Sequence, residues 1–305
     1  MLSDPTFGHI QNIMNFEDYK QEIRNASLKI DNIEEILDEF RNYQTLAIKT
    51  LQMFHELCES NHISYQLAYG SLLGAIRDNG QLPWDYDIDV FVPYEQKDFL
   101  INILKSKLDK NYYFEGPEVN PKCCRGITRI APKGFNSDYL HVDIFFLCGI
   151  PNNEIEALEM RNKLTLIQKY RYATFSNPIK VSHGNLRSFL SMMAHKLRHY
   201  KINWKKYADE YDILCSKYPT SMSKFVVDTG LWANHCLYEA EDIMITKLIE
   251  TRDGVFRIPI GADKILKEQY GDYRAYMPIE DRVHEMLHNY WQIKKYGHER
   301  EKQNK

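Results

Sequence analysis

Asp85, Asp87 and Asp89 alternate along the run P-W-D-Y-D-I-D-V-F-V-P, which closes the stretch Tyr65–Pro93. Side chains at i and i+2 of a strand share a face. Asp87 and Asp89 therefore stand side by side, about 7 Å apart along the strand. Ile88, Val90 and Val92 point the other way, into a core. Aspartate is depleted in strands, and like charges on one face repel. Clustered carboxylates match a hard divalent cation. Mg2+ takes one or two of them and completes its shell with water and phosphate oxygens. The spacing predicts that Asp87 and Asp89 hold Mg2+ or Mn2+, with Asp85 as an outer ligand or a support.

Upstream, a short apolar strand over Tyr65–Ala68 meets a Gly70-Ser71 step, followed by a helix-like run from Leu72 to Arg77. Gly70 allows a tight turn after the strand, and Ser71 is a favourable N-cap. A helix N-terminus presents N–H groups and a positive dipole end to a phosphate. Carboxylates with a metal, facing such a terminus, are suited to phosphoryl or nucleotidyl transfer. The plain alternative is an exposed acidic turn beside an ordinary strand–helix joint.

G-S-L-L-G-A-I-R followed by P-W-D-Y-D-I-D resembles the signature of the LicD family, which includes bacterial phosphorylcholine transferases and relatives of fukutin. A distal block, Ile258 to Pro278, is similar to the family's second motif, so the resemblance covers roughly residues 45 to 280. The wider nucleotidyltransferase superfamily places a third carboxylate on a later strand. Asp143, inside the apolar run Y-L-H-V-D-I-F-F, is the candidate. A lone acid in such a run is costly to bury unless it is paired or bound to metal.

The resemblance implies an enzyme that moves a phosphocholine-like group from a CDP-linked donor to a hydroxyl of a cell-surface glycan or its precursor. Asp87, Asp89 and Asp143 would be catalytic and metal-binding. Two other readings stay open: a nucleotidyltransferase acting on a small molecule or sugar, and a silent nucleotide- or glycan-binding protein on the same fold.

Basic residues around this core could meet phosphate, since arginine forks match its oxygens. Arg77 lies two turns into the helix after Ser71. Arg125 and Arg129, four apart on a strand over residues 125–131, face one side of it. The plain alternatives are an Arg77–aspartate pair and two surface arginines. Between Arg161 and Lys206 there are eleven Lys or Arg and no Asp or Glu. Within that segment Leu186, Phe189, Leu190, Met193 and Leu197 fall on one helical face. It is a candidate for peripheral membrane contact through residues 186–206, or for an acceptor that is lipid-linked or anionic. A core-packed helix with a solvated basic face is the plain alternative. Trp232, His235 and Tyr238 are candidates for a choline or sugar pocket. The pairs His195/His199 and His284/His288 lack the remaining ligands of a zinc site.

The elements that must carry these residues can be read from periodicity. A helical stripe runs from Phe16 to about Ser60, and a helix spans residues 96–108. Strands span residues 88–92, 125–131 and 140–147. Helices follow over residues 154–175 and 207–250, then a strand over residues 255–260, a helix over residues 262–270 stopped by Gly271, and a last helix to about Tyr296. The fold class is α+β, a nucleotidyltransferase-like mixed β-sheet flanked by helices, with a largely helical C-terminal half. The expected domains are an N-terminal helical segment over residues 1–62, a catalytic core over residues 63–150 and a helical region over residues 151–305.

At 305 residues the chain can bury a sizeable core. Its net charge of -3 argues against nucleic acid as a partner. The six cysteines show neither C-x-x-C nor zinc-ligand spacing. No apolar signal segment or bilayer-length run is evident, and a cytoplasmic protein is expected.

Overall fold

The computed structural model describes residues 13–26, 28–181, 185–199, 201, 204–230 and 237–298. The N-terminal stripe forms two helices, not one. Helix α1 (Phe16–Asn25) opens on a capping box between Asn15 and Asp18. The chain then breaks through Asn32, whose φ of 57° is left-handed, and α2 (Ile33–Ser60) begins there without a side-chain cap. The buried residues of α2, among them Leu37, Phe40, Ala47, Leu51 and Phe54, recur at three- and four-residue steps. This stripe lays the helix across the sheet.

The segment that carries the acidic run follows. Strand β1 (Gln66–Leu67), helix α3 (Tyr69–Arg77), strand β2 (Ile88–Pro93) and helix α4 (Lys97–Lys107) lead to β3 (Tyr112–Glu115), β4 (Thr128–Pro132) and β5 (Val142–Gly149). All eight residues of β5 are buried, as its continuous apolar run requires. Helices α5 (Glu154–Phe175), α6 (Pro178–Val181), α7 (Leu186–His199) and α8 (Trp204–Ser216) come next.

The helical expectation for residues 207–250 fails beyond Ser216. Strands β6 (Phe225–Asp228) and β7 (Tyr238–Glu239), helix α9 (Ala240–Ile243) and strand β8 (Thr246–Thr251) occupy that stretch. Strand β9 (Gly254–Pro259) pairs with β8, and α10 (Ala262–Tyr270) ends at Gly271, whose φ is 67°. Helix α11 (Ile279–Tyr296) closes the described chain.

The main sheet runs β1-β2-β5-β4-β3. Among the described residues only β2 and β5 pair in parallel; the other pairs are antiparallel. β4 flanks the first half of β5, and β6 flanks its end, with β7 beyond. The C-terminal half thus contributes two strands to the sheet. This is the expected mixed sheet with helices packed on it.

Candidate active site

The register of the sheet assembles the acidic face. Asp89 of β2 lies opposite Asp143 of β5, Asp143 lies opposite Arg129 of β4, and Arg129 lies opposite Glu115 of β3. Directly paired residues share a face, so these four side chains form one rung across four strands. Asp87 precedes β2 by one residue and is half-buried, like Asp85 and Asp89.

The turn that carries the aspartates is held from outside. Gln44, wholly buried on α2, donates from Nε2 to the carbonyls of Leu82 (2.9 Å) and Asp85 (2.6 Å). Gln81 Nε2 donates to the Asp87 carbonyl at 2.9 Å. The β8–β9 turn grips the same loop: Arg252 donates to the carbonyls of Asp78 and Gln81, and Asp253 accepts from the Gln81 N–H at 2.6 Å.

The Gly-Ser step acts differently from its expected capping role. Helix α3 starts three residues earlier, with Ala68 at the N-cap position and no side-chain cap. The left-handed residue is Tyr69, with φ 44°. Gly70 supplies room instead, because a Cβ there would stand 3.0 Å from Asp85 Oδ2. Ser71 Oγ accepts the Asp89 backbone N–H at 2.9 Å, and the Ala68 N–H donates to the Asp89 carbonyl at 2.9 Å. The first turn of α3, whose N–H groups precede the helical ladder, is therefore fixed against the Asp89 backbone.

The arginines depart from the phosphate-binding expectation. Arg129 forks onto Asp143, with Nε to Oδ1 at 2.6 Å and Nη2 to Oδ2 at 3.2 Å, while Nη1 donates to the Ser137 carbonyl and to Asp138. Its fork is spent on a carboxylate. Arg77 is buried under Trp84 and Tyr276 and bonded to Asp78 and the Tyr273 carbonyl, so it is a structural cation. Arg125 precedes β4 and lies 3.6 Å from Asp138.

These neighbours separate the carboxylates electrostatically. Burial alone would raise Asp143, but Arg129 and His141 outweigh it and hold the carboxyl well below the usual range. Asp89 is pushed well up, first by burial and then by Asp87 and Asp143. Asp85 is pushed up by burial, Asp87, Glu285 and Asp89. Among the described residues, no three carboxylate, histidine or cysteine side chains close on one point as a preformed metal cage would. The expected convergence of Asp87, Asp89 and Asp143 on one point is not found among the described residues, where Arg129 holds both carboxylate oxygens of Asp143. The donor set still fits a hard divalent cation: it is all oxygen, carries surplus negative charge and lies beside the N-terminus of α3.

Several residues of this face were missed in the sequence. His141, two before Asp143, is buried with its Nε2 3.2 Å from Asp143 Oδ1, outside hydrogen-bond geometry. Alternation from Asp143 would have placed it. Asp228, opposite Leu147 on the same face, is 2% exposed; its Oδ1 accepts from the Gly230 N–H at 2.7 Å, and its Oδ2 has no hydrogen-bond partner among the described residues. Burial pushes its pKa up to about 6, against the pull of the Gly230 N–H and Tyr69. The signal was a short apolar run, F-V-V-D-T-G, ending in an acid and a glycine. Tyr69 packs its ring on Phe91 and Phe145, and burial followed by the Asp228 charge pushes its hydroxyl well up.

Of the aromatic trio, Tyr238 is buried against Phe91, with its hydroxyl accepting from Gln269. Trp232 and His235 lie outside the described residues, as do the side chains of His195 and His199. His284 and His288 are exposed on α11.

Residues 62–181 match the family described as LicD/FKTN/FKRP, nucleotidyltransferase domain. The chain is 27% identical over 258 residues to the lipopolysaccharide cholinephosphotransferase LicD of Haemophilus influenzae, covering 79% of this chain and 94% of that protein. It is 26% identical over 188 residues to an uncharacterized protein of Rickettsia prowazekii, covering 57% of this chain and 63% of the relative. Among the described residues no helix is long and apolar enough to cross a membrane.

Proposed function

We infer that this chain, a member of the LicD family through its domain at residues 62–181, transfers a phosphocholine-like group from a CDP-linked donor to a hydroxyl of a cell-surface glycan or its precursor. The observation that carries this reading is the pairing of Asp89 with Asp143 across two parallel strands, with the Ser71 hydroxyl on the Asp89 N–H. The relative named for cholinephosphate transfer to lipopolysaccharide supports the choice of group and acceptor.

Asp87 and Asp89, with Asp143 beside them and Asp85 behind, are the residues that would hold a magnesium or manganese ion, whose chemistry is to offset charge on the donor diphosphate. The first turn of α3 offers N–H groups to a phosphate oxygen. The acceptor oxygen forms a bond to the phosphorus of the moving group while the bridging P–O bond breaks, and CMP leaves with the bond's electron pair. The acceptor's proton passes to a half-buried carboxylate. Asp143, held ionised by Arg129 and His141, is too weak a base for that task. Its role is a fixed negative charge.

The family's description as a nucleotidyltransferase domain favours one second reading, in which the nucleotide itself is transferred. Labelled CDP-choline and labelled CTP separate the two. Label from the choline moiety in the acceptor supports phosphocholine transfer, and nucleotide label there overturns it.

A further inference from the structure

Helix α7 presents its leucines to water. Leu186, Leu190 and Leu197 are 70%, 57% and 65% exposed, and they fall within a narrow arc at 100° per residue. The helix packs on α5 and α6. Its half-buried residues are Phe189, Met192, Met193 and Lys196, which lie roughly a quarter-turn round from the leucines. The stripe read in the sequence as one apolar face therefore splits: Phe189 and Met193 turn inward, and the leucines turn out. Arg187 and Arg198, both exposed, border the leucine arc on its other side.

Asn185 starts the helix by accepting the Ser188 N–H at Oδ1, 3.1 Å, and the Phe189 N–H at its carbonyl. The exposed leucines thus belong to a capped, packed helix. An apolar stripe on a small basic element is the pattern of an interfacial helix. Residues 161–206 carry eleven Lys or Arg and no acid, within a chain whose net charge is -3. That local contrast selects an anionic surface, and arginines beside the leucines can reach headgroups while the leucines enter the acyl boundary.

We propose that α7 docks the protein on an anionic lipid bilayer, with Leu186, Leu190 and Leu197 inserted and Arg187 and Arg198 on the headgroups. This surface is independent of the reaction assigned above, and its test uses no substrate.

The full chain is floated with phosphatidylcholine vesicles and with vesicles that also contain phosphatidylglycerol. It partitions onto the anionic vesicles, less at high salt, and stays off the neutral ones. L186E/L190E/L197E and, separately, R187E/R198E lower that partition about tenfold or more while keeping wild-type circular dichroism. These positions are exposed, so the substitutions disturb little packing. Equal partition of the wild type onto both vesicle types, or unchanged partition of both variants, overturns the proposal. So does a dimer in light scattering that the leucine variant abolishes, since a second copy would then cover the stripe.

Discussion

Asp89 and Asp143 occupy one rung of the parallel β2–β5 pair, yet only Asp143 is gripped by an arginine. The rung therefore holds one carboxylate paired with a cation and one that stands against Asp87 and Asp143 with no cation of its own among the described residues. Burial and these two charges raise Asp89, while Arg129 offsets them only in part.

Asp89→Asn should cut transfer by about 100-fold or more, because even outer-shell changes at metal sites cost about 10- to 100-fold. The variant should melt at or above the wild-type temperature without metal, since a repulsion is removed. Near-normal turnover in a donor assay would remove the carboxylate rung from the mechanism.

Divalent ions should bind without substrate. Mg2+ or Mn2+ should raise the melting temperature of the wild type, and EDTA should reverse the shift. Asp87→Asn and Asp89→Asn should lose it. Equal shifts in all three proteins would place the ion elsewhere.

Arg129→Met should destabilise the fold by about 3–5 kcal/mol, the usual result of leaving one buried partner uncompensated. Asp143→Asn in the same chain should recover much of that loss in urea titrations. If Arg129 instead served only as a donor-phosphate contact, KM would rise with stability unchanged.

Asp228 makes a pH prediction. Its folded pKa of about 6 lies above the ordinary carboxyl value near 3.8, so the folded state keeps its proton longer. This contribution to stability is present below about pH 4 and is lost as pH rises towards 6. The cost above that is about 3 kcal/mol at 1.36 kcal/mol per pKa unit. Asp228→Asn should therefore melt above the wild type at neutral pH, and the difference should close in acid. A pH-independent difference would mean that Asp228 finds a partner when ionised.

Much of the site was legible because period-two alternation is local. The run D-Y-D-I-D-V-F-V predicts its own strand and its own acidic face, and V-D-I-F-F places an acid inside another buried strand. The helix Ala262–Tyr270, with strong periodicity and a stop at Gly271, was equally readable. Short strands were not. β3, β6 and β7 have two to four residues, too few to establish a period, and they exist because longer neighbours offer them edges.

Partnership was decided only by the tertiary structure. Alternation places Arg129 on a face, but not opposite Asp143, since strand register depends on residues far apart in the chain. Nothing near Gln44 marks it as the anchor of a turn some forty residues on. In the same way, the sequence determined that α7 is amphipathic and basic, whereas its packing against α5 and α6 decided which side meets water. Periodicity along one chain defines faces; what each face meets is set by contacts that close only when the whole chain has folded.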